Sequence, residues 1–187
     1  MKSKWMPLII VVVIIAVLVF WVAGSYNSLV SLNEQAKTQQ SNIQTQLQRR
    51  TDLIPNLVNT VKGYAVHEKD VIQSVVDARS KLAGAPTTGD ALKANGELNQ
   101  ALSRLLVVVE NYPDLKASAN FRDLQAQLEG TENRIAVARR DYNIAAQSYN
   151  TTTKRFPSVI FANMFGFKEL PYYEASPGSQ NVPEVKF

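Results

Sequence analysis

Three hydrophobic patterns follow one another along this chain. From Leu8 to Ala23 the run LIIVVVIIAVLVFWVA holds sixteen apolar residues and no charge. Counted from Trp5 to Gly24 it is ~20 residues, which at ~1.5 Å per residue spans roughly 30 Å, the thickness of a bilayer core. Leu8, Ile14, Phe20 and Ala23 therefore mark a single membrane span, with Trp5 and the Trp21/Tyr26 region near the headgroup levels. A cleaved signal peptide is the rival reading, with Lys2 and Lys4 as a basic n-region, but the run exceeds the usual h-region length.

The second pattern is helical. Between Ser25 and about Val66, Leu29, Ala36, Ile43, Leu47, Ile54, Leu57, Val61 and Tyr64 recur at steps that sum threes and fours, with Asn33, Gln40 and Arg50 as polar interruptions of the same stripe. Pro55 sits inside this helix and predicts a kink. A short helix from Val71 to Ala83 follows, with Ile72, Val75, Val76, Arg79 and Leu82 on one side, and Gly84-Ala85-Pro86-Thr87-Thr88-Gly89 reads as a loop. A third helix starts at about Asp90, a candidate N-cap, and ends at Tyr112-Pro113-Asp114. In the last helix, from about Leu115 to Phe156, Phe121, Leu128, Ile135, Tyr142, Tyr149 and Phe156 recur every seven residues beside a smaller row at Leu124, Thr131, Ala138, Ala145 and Thr152.

The third pattern is the dense apolar stretch Val159–Phe167 before a tail bearing Pro, Gly and Ser. Together these predict an all-α chain: an N-terminal transmembrane helix followed by an antiparallel helical bundle with two long and two short helices. The expected parts are an anchor over 1–24, the bundle over 25–157 and a tail over 158–187. Helix lengths of ~60, ~20, ~30 and ~60 Å bring the last helix back to the bilayer and leave a two-helix stalk there. Leu29, Ala36, Tyr142, Tyr149 and Phe156 are then the candidate stalk and oligomer seam, to be covered by other copies. Ile160, Phe161, Phe165 and Phe167 either lie at the headgroup level as an interfacial anchor or fold back on the bundle as a hydrophobic lid.

Composition narrows the chemistry. The net charge of +4 is mild and the bases are interleaved with acids, so no nucleic-acid footprint is expected. With no cysteine, disulfides, thiolate nucleophiles and iron–sulfur sites are excluded, and the compartment stays open. One histidine, His67, beside Glu68 cannot assemble a bundle metal site without a second ligand pair. Neither a Ser-His-Asp set nor a Gly-rich phosphate loop occurs, so no catalytic residue, cofactor or metal is expected. Lys2 and Lys4 against Lys37 favour a cytoplasmic N-terminus, which predicts a bacterial inner-membrane protein, single-pass, with its bundle in the periplasm.

Longer words in the chain carry a resemblance. Tyr26-Asn27-Ser28-Leu29-Val30, the stretch from Gln46 to Val58 (QLQRRTDLIPNLV), Thr60-Val61-Lys62-Gly63-Tyr64-Ala65, and Glu110-Asn111-Tyr112-Pro113-Asp114-Leu115-Lys116-Ala117 are its first half. Thr131-Glu132-Asn133-Arg134-Ile135-Ala136, Arg139-Arg140, Tyr142-Asn143, Tyr149-Asn150 and Phe156-Pro157 complete it. On these the chain resembles the LemA family of bacterial membrane proteins. The resemblance implies a single-span anchor with an antiparallel helical bundle and offers no catalytic residues.

Arg49, Arg50, Asp52, Glu132, Arg139 and Arg140 form a candidate structural or partner-binding polar cluster, in which Arg50 faces Glu132 or Asn133 across antiparallel helices. The leading expectation is a non-enzymatic scaffold or adaptor of the envelope that contacts lipid, self-associates and organises protein partners. The alternative is an extracytoplasmic sensor that signals through a membrane partner, favoured by a polar pocket between the distal helices.

Overall fold

The computed structural model describes residues 5–65 and 67–174. Lys2 and Lys4, Val66 and the tail from 175 onward lie outside the described residues. Six helices follow in order: α1 (Met6–Lys62), α2 (Lys69–Ala83), α3 (Thr88–Val109), α4 (Pro113–Ala117), α5 (Ala119–Lys154) and α6 (Ser158–Phe165). Among the described residues all regular structure is helical. The chain divides into two compact units: residues up to Gln39 with Asp141–Tyr172, and Gln40–Arg140 with the residues from Tyr173 on. Both units draw on α1 and α5.

In the unit containing Gln40–Arg140, the seam of α1 supplies Ile43, Leu47, Ile54, Leu57 and Val61, all buried. Also buried are Ile72, Val75 and Leu82 of α2, Leu98, Leu102 and Leu105 of α3, Leu115 of α4, and Phe121, Leu128 and Ile135 of α5. α1 passes through Pro55 without ending. Proline removes the donor that would have bonded the carbonyl of Thr51. The Nε–H of Arg79 on α2 donates to that same carbonyl at 3.0 Å, so the orphaned acceptor is satisfied from a neighbouring helix.

Several boundaries differ from the sequence reading, each for a local reason. Thr87, not Asp90, caps α3: its backbone is extended and its hydroxyl accepts from the Asp90 N–H at 3.1 Å. Thr88 and Gly89 are therefore helical. The segment after Tyr112 breaks in two, because Ser118 adopts an extended backbone between α4 and α5. α1 stops at Lys62, leaving Tyr64 in the following turn and exposed.

In α5 the large row Phe121, Leu128, Ile135, Tyr142 and Tyr149 is buried at its seven-residue spacing, while the smaller companion row drifts. Thr131, Tyr142 and Thr153 are buried, as are Ile135 and Ala146, and Ala138 and Tyr149. That is an eleven-residue spacing, close to the natural period of a straight helix, so the inward face drifts from the expected Ala145 and Thr152 to Ala146 and Thr153.

The unit containing Asp141–Tyr172 has the start of α1, the end of α5, α6 and an irregular segment from Phe167 to Tyr172. From Leu8 to Phe20 every large apolar side chain is exposed, and α1 is long and apolar enough to cross a membrane. Gly166 ends α6 with φ 75°, a conformation that disfavours a side chain. The N–H groups of Gly166 and Phe167 return to the carbonyls of Asn163 and Ala162, a Schellman closure that turns the chain back.

Candidate functional site

Two constellations stand out, one in each unit. The first is polar. Arg50 on α1 is 3 % exposed and Asn95 on α3 is 2 % exposed, in a region otherwise lined by aliphatic side chains. Arg50 Nη1 donates to Asn95 Oδ1 at 2.9 Å and to Glu132 Oε2 on α5, and Nη2 donates to Asn99 Oδ1. The amides close the circuit: Asn95 Nδ2 donates to Glu132 Oε2 and Asn99 Nδ2 to Glu132 Oε1, each at 3.1 Å. Asn95 and Asn99 are one turn apart on α3, which aims both carboxamides at the same ion pair.

Burial pushes the Arg50 guanidinium below its usual pKa, and the Glu132 carboxylate beside it offsets part of that effect. Every oxygen of Glu132 is engaged, and Nε of Arg50 is the one guanidinium nitrogen without a partner. A carboxylate and a guanidinium that saturate each other hold three helices in one register.

Of the six residues grouped from sequence, the structure joins Arg50 and Glu132 directly. Arg49 and Asp52 lie on the exposed side of α1, with Asp52 accepting from Gln48 at 2.9 Å. Arg139 donates to the carbonyl of Glu174 at 3.1 Å, and Arg140 is exposed. Asn95 and Asn99 were not singled out from sequence. Their signal was available: a helix-disfavouring Asn on the same turn-spaced face as Ala94, Leu98 and Leu102 is unusual unless its amide is satisfied.

The second constellation is aromatic. Trp21 and Phe161 meet edge to face with ring centroids 5.3 Å apart. Tyr26 contacts Phe165 at 5.0 Å and Phe167 at 5.7 Å, and Phe167 reaches Tyr149 at 6.5 Å. Asn150, buried on α5, clamps the returning segment with both amide atoms: Nδ2 donates to the Leu170 carbonyl at 2.8 Å and Oδ1 accepts from the Leu170 N–H at 2.9 Å. The Tyr142 hydroxyl donates to the Pro171 carbonyl at 2.9 Å, and Lys154 pairs with Glu169 at 2.6 Å.

This arrangement changes the reading of the stalk residues. Leu29, Ala36, Tyr142 and Tyr149 are buried within a single chain, where other copies were expected to cover them. For Tyr142 and Tyr149 the fold-back of 167–172 supplies part of the cover, through the Tyr142 bond to Pro171 and the ring contact of Tyr149 with Phe167. Phe156 falls beyond the end of α5 and is exposed. Of the candidate interfacial residues, Phe161 is buried against Trp21 and Phe167 is half-buried, while Ile160 and Phe165 keep substantial exposed area.

Comparison with known proteins adds what packing leaves out. Residues 39–187 match the family described as LemA family. The chain belongs to the LemA family. It is 30 % identical over 178 residues to magnetosome protein MamQ 2 of Paramagnetospirillum magneticum, and 29 % identical over 178 residues to magnetosome protein MamQ of Magnetospirillum gryphiswaldense. Each match covers 81 % of this chain and 65 % of the relative, so the chain spans just under two thirds of the length of these relatives. Protein LemA of Metamycoplasma hominis is 22 % identical over 175 residues, covering 93 % of this chain and 80 % of that protein. Family membership and the apolar α1 together point to a membrane-anchored protein.

Proposed function

We propose that this LemA-family protein is a non-enzymatic scaffold or adaptor, anchored by Leu8–Ala23 in the bacterial inner membrane with its bundle outside the cytoplasm, which self-associates and organises envelope partners. The observation that carries the reading is an uneven covering of the α1/α5 pair in the unit containing Asp141–Tyr172. One side is closed by 167–172. Another side is an open groove of about 400 Å³ lined by Gln35, Thr38, Gln39, Asp141, Ile144, Ala145 and Ser148.

Ile144 is exposed beside the small Ala145 and Ser148. A ridge and a hollow on one patch are self-complementary, the requirement for a two-fold interface between identical chains. The natural cysteine count of zero makes the test direct. Ile144→Cys in full-length protein in native membranes should give an oxidised dimer, and Ala126→Cys on an exposed face of α5 should not. A monomer for Ile144→Cys, together with a monomeric mass by light scattering in detergent, overturns self-association.

The sensor reading draws on a smaller cavity of about 200 Å³ between α1 and the α2–α3 connection, bordered by Gln44, Gln48, Thr51, Leu82, Pro86 and Thr87. A thermal shift of the full-length protein with a small polar ligand, lost on Gln48→Leu, would favour it over the scaffold.

A further inference from the structure

The fold-back of α6 leaves a question that the buried rings do not answer. Phe161 and Ala162 face inward, yet on the opposite side Ile160 and Met164, one turn apart, are 54 % and 62 % exposed, and Phe156 just before the helix is 81 % exposed. Ile160 and Met164 on the outer face of α6, and Phe156 just before the helix, have no cover within the described residues. The ring contact fixes their level: Phe161 touches Trp21, within three residues of the end of the apolar run at Ala23. α6 is thereby held at the exit of the span, where a bilayer passes from acyl chain to headgroup. Arg155 and Lys168, both exposed, bracket the segment with positive charge.

We propose that α6 is a second membrane contact, lying in the plane of an anionic bilayer with Phe156, Ile160 and Met164 inserted at the headgroup–acyl boundary and Arg155 and Lys168 among lipid phosphates. The physics is that of an interfacial helix: buried apolar area with electrostatic attraction to acidic lipid. It differs from the sequence expectation in which rings do the work. Phe161 and Phe167 hold α6 to the protein, and the face turned outward belongs to Phe156, Ile160 and Met164. With the span on one side and α6 on the other, each chain would grip one leaflet at two points, which fixes its rotation about α1. The inference rests on Leu8–Ala23 being the membrane anchor.

The test uses full-length protein in vesicles of phosphatidylcholine and phosphatidylglycerol, with an environment-sensitive fluorophore on single cysteines and nitroxide-bearing lipids as depth quenchers. Met164→Cys should be quenched several-fold more strongly by nitroxides near the headgroups than Ala126→Cys in the other unit. Arg155→Gln with Lys168→Gln should reduce that quenching in anionic vesicles. Ala16→Cys, inside the span, reports the anchor separately. Quenching at Ala16 without quenching at Met164 overturns the α6 contact and leaves the anchor standing. No quenching at either position overturns both, and protection of Met164 by protein in lipid-free detergent counts against lipid as the occupant.

Discussion

The two units solve the same packing problem with different materials. The unit containing Gln40–Arg140 has four helices and the connecting α4 around an aliphatic core, and its one expensive feature is a charged circuit at Arg50, Asn95, Asn99 and Glu132. The unit containing Asp141–Tyr172 has only two long helices, so a non-helical segment completes its cover through rings and side-chain bonds to backbone. Aliphatic helix ridges can slip by a turn with modest loss, and a buried ion pair forbids the slip. A segment without helical period has no ridges at all, and Asn150 sets its register by reading the N–H and the carbonyl of one residue, Leu170.

Removing Glu132 should break this contrast most sharply. Glu132→Ala leaves Arg50 as an uncompensated buried charge and should cost about 3 kcal/mol in the unfolding of the full-length protein by urea, followed by circular dichroism in detergent. The double substitution Arg50→Met with Glu132→Leu should recover most of that loss. A loss below about 1 kcal/mol for the single change would mean that water solvates Arg50 and that the circuit does not set register. Hydrogen exchange at Leu170 should stay slow in all these variants, since its clamp belongs to the other unit.

Asn150→Ala should act in the opposite place. It deletes both bonds to Leu170 and should cost about 2 kcal/mol locally, seen as faster trypsin cleavage at Lys168 with the urea midpoint of the other unit unchanged. Cleavage no faster than in the parent protein would show that the rings around Phe167 alone hold the segment.

How much of this was legible in the sequence follows from what each contact depends on. Helix existence and the inward rows at Ile43, Leu98, Phe121 and Leu128 were readable because periodicity is local information. Arg50 was readable as a polar break in that periodicity. Asn95 and Asn99 are not distinguished there, because a carboxamide in a helix looks the same whether it meets solvent or a partner two helices away in the chain. The closure over Tyr142 and Tyr149 by their own chain is illegible for a different reason: residues 167–172 have no period, and their place is set by Gly166 and Asn150 together. The cap at Thr87 was within reach, since Thr-x-x-Asp is a helix-start signature one step away from the Asp90 chosen.

A smaller effect tests the repair at Pro55. Arg79→Met leaves the Thr51 carbonyl without its donor and should cost about 1 kcal/mol. Pro55→Ala restores an N–H that can reach the same carbonyl from within α1, so Arg79→Met should cost clearly less in that background. Equal costs in both backgrounds would show that Arg79 contributes through packing on α1, independent of the carbonyl that the proline orphans.

The smallest effect lies at the far turn and is separable by pH. The Tyr112 hydroxyl donates to Glu68 Oε1 at 3.0 Å, and that bond raises the phenol above its ordinary value, with desolvation adding in the same direction. Tyr149, in the other unit, is raised chiefly by burial, against a lowering influence from Lys37. In both, the folded protein favours the neutral phenol, so the stabilisation is fully present below the unfolded value of about 10 and is lost as pH rises through the higher folded value. Unfolding measurements should therefore be flat in this respect from neutral pH to about 9 and decline above about 10. Tyr112→Phe should remove part of the decline and lower the neutral-pH midpoint slightly, because the bond to Glu68 is lost there too, and Tyr149→Phe should remove another part of the decline. If ultraviolet titration finds Tyr112 ionising at the ordinary phenol value of about 10, the bond to Glu68 does not hold in solution.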